Sequence, residues 1–299
     1  MGISTVKANP NHGGGVTSKL RDYCTLTKPE VNLLILMATS AGYILASPGT
    51  LGWGRFIHTI VGTLLVASGT ATLNQVLERV HDGRMRRTAG RPLPQGRLNP
   101  GQALRFGILL SVAGGLELLI AVNALSALLA VATLLSYLLL YTPLKRKTPL
   151  CTLVGAIPGA MPTLIGWAAA AGRLEARAGL LFGILFLWQF PHFLAIALMY
   201  REDYERAGYK MLPGFDSEGR FTRMEILAFS VLLAVVTVAG VDSLGQSLPR
   251  LTGMICLGAF LLFSSIRLAR SGSRGEAGRL LHATVIYLPA VLAVLVSQK

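Results

Sequence analysis

Asn74, Glu78 and Asp82 recur every fourth residue and run straight into the most basic loop of the chain, Met85-Arg86-Arg87-Thr88-Ala89-Gly90-Arg91-Pro92-Leu93-Pro94. On a helix, steps of four residues drift by about 40° and climb about 6 Å, so the three oxygen-bearing side chains line one narrow face. Such a face can hold a hard cation. A second cluster, Glu202, Asp203 and Glu205, is also followed by basic residues and a Gly/Pro turn ending at Pro213. Two carboxylate groups on opposed helices, each flanked by Arg and Lys, suit a magnesium-bridged diphosphate. Oxygen ligands take the ion, and the cations take the remaining phosphate charge. For Asn74, Glu78, Asp82 and Asp203 we favour function, whereas Glu202, Glu205 and their basic neighbours read as an ordinary solvated loop with surface ion pairs.

The elements that must position these residues are membrane spans. The run from Phe56 to Leu73 carries no Asp, Glu, Lys or Arg, so Glu78 and Asp82 come at the end of a span, where ionisable groups are costly and usually functional. With 52% hydrophobic and 14% charged residues and a mean hydropathy of +0.56, the 299-residue chain cannot cover a soluble globule with polar surface. The fold expected is all-α and polytopic, with about nine spans near 31–47, 56–77, 104–122, 124–142, 150–171, 178–199, 225–241, 251–268 and 281–297. The first and seventh are short for a span. Residues 1–30 are expected to be a flexible cytoplasmic segment, and 31–299 a single transmembrane domain.

Charge orients the bundle. With the N-terminus inside, 23 of the 28 Lys and Arg residues fall on the cytoplasmic side and only Arg55, Arg173, Arg177, Arg250 and Lys299 outside, which also places the C-terminus outside. The net charge of +14 is therefore explained by topology, and no nucleic-acid-binding module is visible. The first thirty residues have no apolar core before a small-residue cleavage site and no Arg-rich amphipathic pattern, which favours a bacterial plasma membrane over an organelle. Cys24, Cys151 and Cys256 are far apart and form no C-x-x-C, so they read as unpaired thiols.

A weak internal repeat is present. Pro29 and Pro149 each open a span, Gly42-Tyr43 and Gly166-Trp167 follow within it, and Asp82 and Asp203 close the next one, at offsets of 120, 124 and 121 residues. Spans one to four and five to eight then form two four-helix units, with one helix added. The ends of the second and sixth spans would face each other across one cavity.

Five stretches, two of them extending the acidic clusters above, carry a family resemblance. They are Asn74-Gln75-x-x-Glu78-Arg79-x-x-Asp82-x-x-Met85-x-Arg87-Thr88-x-x-Arg91-Pro92-Leu93-Pro94-x-Gly96, Tyr141-Thr142-Pro143-Leu144-Lys145-Arg146, and Gly155-Ala156-Ile157-Pro158-Gly159-Ala160-Met161-Pro162. Trp188-Gln189-x-Pro191-His192-Phe193 and Asp203-Tyr204-x-x-Ala207-Gly208-x-x-Met211-Leu212-Pro213 follow. Over nearly its whole length the chain resembles the UbiA-type intramembrane prenyltransferases, and more closely their heme branch. Many relatives have Asp where Glu78 stands and a further Asp four residues after the one matching Asp203, where this chain has Ala207. Both departures resemble the heme branch, and they leave the second set of metal ligands incomplete; Glu205 and Asp216 are the nearby oxygens.

The resemblance implies transfer of a farnesyl group from farnesyl diphosphate to the vinyl group of heme b, with water completing the product, heme O. It implies Mg2+ held by Asn74, Glu78, Asp82 and Asp203, with Arg87, Arg91, Tyr141 and Lys145 binding the diphosphate. Low-polarity helix walls would hold the farnesyl tail and exclude stray water. The lipid bilayer is the setting, and a heme A synthase or terminal-oxidase assembly is the protein partner the resemblance allows. Tyr43, Tyr137, Tyr141 or Trp188 could face an allylic cation, although aromatics in spans more often pack or anchor.

His192 lies eight residues before Tyr200, about 12 Å into the membrane from that end. It could ligate heme iron, hydrogen-bond a propionate or assist proton transfer, and the plainer alternative is a structural hydrogen bond to a neighbouring helix. The motif around it weighs toward binding the acceptor. His12, His58, His81 and His282 read as solvated, and Glu117 as paired or wet. Two other functions stay open: a relative acting on a quinone precursor, which would change only the acceptor pocket, and a heme-binding carrier, which would not explain two acidic strips on one side.

Overall fold

The computed structural model describes residues 16–243 and 248–297. Helix α1 (Val16–Thr27) precedes α2 (Pro29–Ala46), α3 (Trp53–Asp82), α4 (Pro100–Ala121) and α5 (Ala124–Leu144), and then α6 (Cys151–Ala171) and α7 (Ala176–Met199). A short α8 (Arg201–Ala207) leads through a 3-10 turn at Leu212–Gly214 to α9 (Arg220–Ser243), α10 (Leu248–Ser271) and α11 (Arg274–Val296). Among the described residues nine helices, all except α1 and α8, are long and apolar enough to cross a membrane, so the all-α expectation of nine spans is borne out. Most helices begin several residues before the apolar windows do, as at Arg220 and Arg274, because helical geometry continues into the polar interface where hydropathy no longer reports it.

The described part of the N-terminal segment is helical. Residues 16–27, within the segment expected to be flexible, form a docked helix: Leu26 is buried, Gln75 Nε2 donates to its carbonyl at 2.8 Å, and Tyr23 meets Phe106 edge-on at 5.0 Å. Arg97 pairs with Asp22 at 3.1 Å. This is a helix held by tertiary packing rather than by its own short length. His12 and the Gly13–Gly15 run lie outside the described residues.

The two halves meet along α2 and α6 through a reciprocal contact. A Cβ on Gly42 would lie 2.2 Å from the Thr163 carbonyl oxygen, and one on Gly166 would lie 1.9 Å from the Thr39 carbonyl oxygen. Thr39 and Gly42 are separated from Thr163 and Gly166 by the same 124-residue offset, so each half offers the other the same carbonyl and the same bare Cα. Lipid gives no hydrophobic drive between spans, so such backbone approach is what holds them. The apolar core runs from this seam through α7, α9, α10 and α11, with Trp167, Phe190 and Tyr287 fully or nearly buried.

Candidate active site

The polar strip lies on the last turns of α3, which stays helical to Asp82, so Asn74, Glu78 and Asp82 do share a face and all three are buried. Asn74 Nδ2 donates to Glu78 Oε2 at 2.8 Å, and Thr142 Oγ1 lies 2.9 Å from both Asn74 Oδ1 and the Tyr137 carbonyl oxygen. Lys145 Nζ reaches Glu78 Oε1 at 2.9 Å. Arg91, returning on the basic loop, meets Asp82 Oδ2 at 2.7 Å, while Thr88 Oγ1 donates to the Asp82 carbonyl at 2.8 Å and folds that loop back over the helix end.

Asp203 is not on the sixth span itself. The helix breaks at Tyr200 (φ −115°, ψ 28°), and Asp203 sits in the first turn of α8. There it accepts the Arg87 backbone N–H at 3.2 Å and an Arg206 side-chain N–H at 3.1 Å. The Arg87 guanidinium lies 5.1 Å from the Tyr200 ring centroid and donates to the Tyr204 hydroxyl at 3.4 Å. The loops after α3 and α7 thus touch, which brings Asn74, Glu78, Asp82, Arg87, Arg91, Lys145 and Asp203 into one contiguous polar region.

Lys145 is held in an aromatic enclosure, 4.4 Å from the Tyr141 ring centroid and 6.0 Å from those of Tyr137 and Tyr209. Burial works against its charge, yet Tyr141, Glu78 and Tyr137 hold its proton well above the ordinary lysine range. The local backbone explains how the rings get there. Residues Ser136–Tyr141 widen into a π-helical stretch, and Gly155 on α6 gives the Tyr141 ring its seat, since a Cβ there would come within 2.5 Å of ring carbons. A cavity of about 260 Å³ lies beside this enclosure, lined by Glu78, His81, Leu138, Thr142 and Tyr209 among others. The Tyr209 hydroxyl is buried and makes no hydrogen bond of normal length among the described residues.

Sequence reading missed four contributors. Lys28, at the left-handed turn that opens α2 (φ 52°), senses both Glu78 and Asp82; burial, with repulsion from Arg91 and Lys145, lowers its ammonium to about 8. Its only sequence signal is its place directly before a span-opening proline. Thr142, Arg206 and Tyr209 stand within or beside the motifs read from the sequence, but the partners they meet were not legible in it. His81, expected to be solvated, is half-buried with its ring 5.5 Å from Tyr209, because the α8 loop closes over the helix end. Glu117 is paired, with His58 at 2.6 Å.

Other candidates have structural roles. Tyr43 donates to the Gly52 carbonyl at 3.0 Å, tying down a loop at the opposite end of the bundle. Asp216 accepts from the Thr222 and Arg220 backbone N–H groups at 2.7 and 3.0 Å and so starts α9, while Glu205 is an exposed partner of Arg201. Among the described residues no three His, Cys, Asp or Glu side chains gather as a ready metal cluster. The donors at hand are oxygens, three of them carboxylates, which is the chemistry Mg2+ selects. Each carboxylate carries a Lys or Arg partner that a bound polyphosphate could take over.

His192 stands apart, on α7, stacked on Trp188 at 4.6 Å and with Nδ1 2.9 Å from Thr284 Oγ1 on α11. The interhelical hydrogen bond anticipated as the plainer alternative is therefore present at Nδ1.

Comparison with known proteins agrees with this architecture. Protoheme IX farnesyltransferase of Solibacter usitatus is 49% identical over 291 residues, covering 94% of this chain and 99% of that protein. The protein of the same name from Salinibacter ruber is 44% identical, covering 92% and 98%. Among solved structures, a digeranylgeranylglyceryl phosphate synthase superposes with a TM-score of 0.77 at 16% identity, covering 93% of this chain and 98% of that one. A UbiA homolog from Archaeoglobus fulgidus bound to DMAPP and Mg2+ superposes at 0.65 and 15% identity, covering 93% and 100%; both share the fold. The UbiA prenyltransferase family profile matches residues 35–288, and with nine helices among the described residues long and apolar enough to cross a membrane, the chain belongs to that family as a multi-pass membrane protein.

Proposed function

We propose that this chain transfers a farnesyl group from farnesyl diphosphate to the vinyl group of heme b, giving heme O and diphosphate. The observation that carries the reading is the buried set Glu78, Asp82 and Asp203, each matched to Lys145, Arg91 or Arg206, at the end of an apolar bundle. The name shared by the near-full-length relatives supplies the two substrates.

Lys145, Arg91, Arg87 and Lys28 bind the diphosphate oxygens and favour the charge that grows on them as the allylic C–O bond breaks with its electron pair. Asn74, Glu78, Asp82 and Asp203 would hold Mg2+, which would supply further positive charge to the leaving diphosphate. Tyr141 and its neighbours keep Lys145 aimed at that site. The apolar walls keep water from the farnesyl cation until the vinyl π electrons form the new C–C bond. Water then adds to the cation left on the porphyrin side chain and loses a proton, which leaves a hydroxyethylfarnesyl group. His192 binds the acceptor.

The deciding experiment incubates the purified protein in lipid with heme b and farnesyl diphosphate, with and without a magnesium chelator, and weighs the extracted hemes. A product heavier by one farnesyl group and one hydroxyl, lost on chelation and restored by Mg2+, is expected; unchanged heme with folded protein present would end the proposal.

We place the carboxylates on the cytoplasmic face of a bacterial inner membrane, with the N-terminus inside and the C-terminus outside, because that orientation puts 23 of the 28 basic residues inside. A cysteine at exposed Glu202 should resist an impermeant thiol reagent in intact cells and react once they are opened.

A further inference from the structure

Thr284 is where the chemistry of His192 is decided. The threonine hydroxyl has one hydrogen, and it is committed: Oγ1 donates to the Leu281 carbonyl at 2.7 Å, an atom that can only accept. The 2.9 Å contact between Oγ1 and His192 Nδ1 must then run the other way, with Nδ1–H donating to the hydroxyl. A neutral imidazole protonated on Nδ1 carries its lone pair on Nε2.

The same residue fixes the ring's orientation. The Thr284 carbonyl accepts the indole N–H of Trp188 at 2.8 Å, and Trp188 stacks on His192 with an interplanar angle of 21°. Thr284 therefore holds the imidazole through its hydroxyl and the ring packed on it through its carbonyl. Phe193 meets the imidazole edge-on at 5.3 Å. A β-branched threonine bonded back to its own helix has little χ1 freedom. Nε2 has no hydrogen-bond partner among the described residues, and His192 is only partly buried, so that lone pair stays reachable between α7 and α11.

This separates the three chemical roles open to His192. A lone pair on Nε2 repels a carboxylate, so hydrogen bonding to an ionised propionate is disfavoured, whereas ligation of a metal ion uses that lone pair directly. Histidines that ligate metals commonly donate their other N–H to a fixed acceptor, which sets the tautomer and raises ligand basicity. The Leu281 carbonyl and the Thr284 hydroxyl make such a relay. We propose that Thr284 is a positioning residue that fixes His192 in the Nδ1–H tautomer and presents Nε2 as an axial ligand to the iron of the acceptor porphyrin. The inference rests on the heme reading above and deepens it.

The test uses full-length protein in lipid, titrated with heme b and followed by absorption spectroscopy. H192A should alter the spectrum of bound heme and weaken its binding. T284V, similar in shape but unable to accept from Nδ1–H, should do the same, with affinity reduced about 10- to 100-fold, while T284S restores the wild-type spectrum and farnesyl diphosphate binds all three alike. A wild-type spectrum with H192A means the histidine does not face the heme, and the reading of His192 itself fails. An altered spectrum with H192A and a wild-type spectrum and affinity with T284V overturns the role of Thr284 alone. Should T284V not fold, 15N spectra of histidine-labelled wild-type protein without heme read the tautomer directly. A pyrrole-type Nδ1 and pyridine-type Nε2 are expected for His192, and the reverse assignment refutes the proposal.

Discussion

The two acidic ends of the repeat are equally buried but differently neutralised. Glu78 and Asp82 sit on one unbroken helix, and their cations come from elsewhere in the chain and are themselves enclosed: the Lys145 side chain is 13% exposed and that of Arg91 is 23%. Asp203 lies beyond a helix break, and its cation, Arg206, is three residues away and 39% exposed. Enclosed opposite charges interact strongly and cost much to separate, whereas a half-exposed neighbour is screened. The two halves thus share the frame, in the Thr39/Gly42 and Thr163/Gly166 contacts, while the enclosed ion pairs lie on the first half's carboxylates.

The sharpest test of that asymmetry is charge removal at constant shape. E78Q and D82N should each lower heme farnesylation about 10²- to 10³-fold, the scale on which charge-stabilising groups act. D203N should lose distinctly less, and E78D, which keeps the charge, should retain more turnover than E78Q. Equal losses for D82N and D203N, measured as initial rates on well-folded protein, would remove the contrast. The frame is tested next, because its symmetry predicts symmetric damage. G42A and G166A each drive a methyl into a facing carbonyl, so both should cost about 1–3 kcal/mol and lower the unfolding temperature by similar amounts. A large effect from one and none from the other would show that the two contacts are not equivalent.

A smaller effect concerns Lys28, the cation that opens the first span. Its lowered value of about 8 means that its charge is lost as pH rises through that value, and a bound anion would draw the proton back. Diphosphate affinity should therefore fall severalfold between pH 7 and pH 9, and calorimetry near pH 8 should register proton uptake on binding. K28R, which cannot deprotonate, should flatten the profile. A slope that persists in K28R assigns the titration to another group.

What the sequence determined by itself is what local physics encodes. The nine spans found among the described residues follow from apolar runs, and the Asn74, Glu78, Asp82 strip follows from a period of four on a helix that does not break before Asp82. The 124-residue offset of Gly42 and Gly166 was also legible, because a repeat is a property of the chain. Tertiary structure decided the partners. That Lys145 neutralises Glu78 within three tyrosines, that Lys28 senses both carboxylates, that residues 16–27 dock as a helix, and that Thr284 sets the tautomer of His192 are matters of which segments meet. Hydropathy and spacing report how a residue sits on its own helix. Protonation, charge pairing and tautomer depend on an atom that is within about 3 Å in space but, for His192 and Thr284, 92 residues away in the chain.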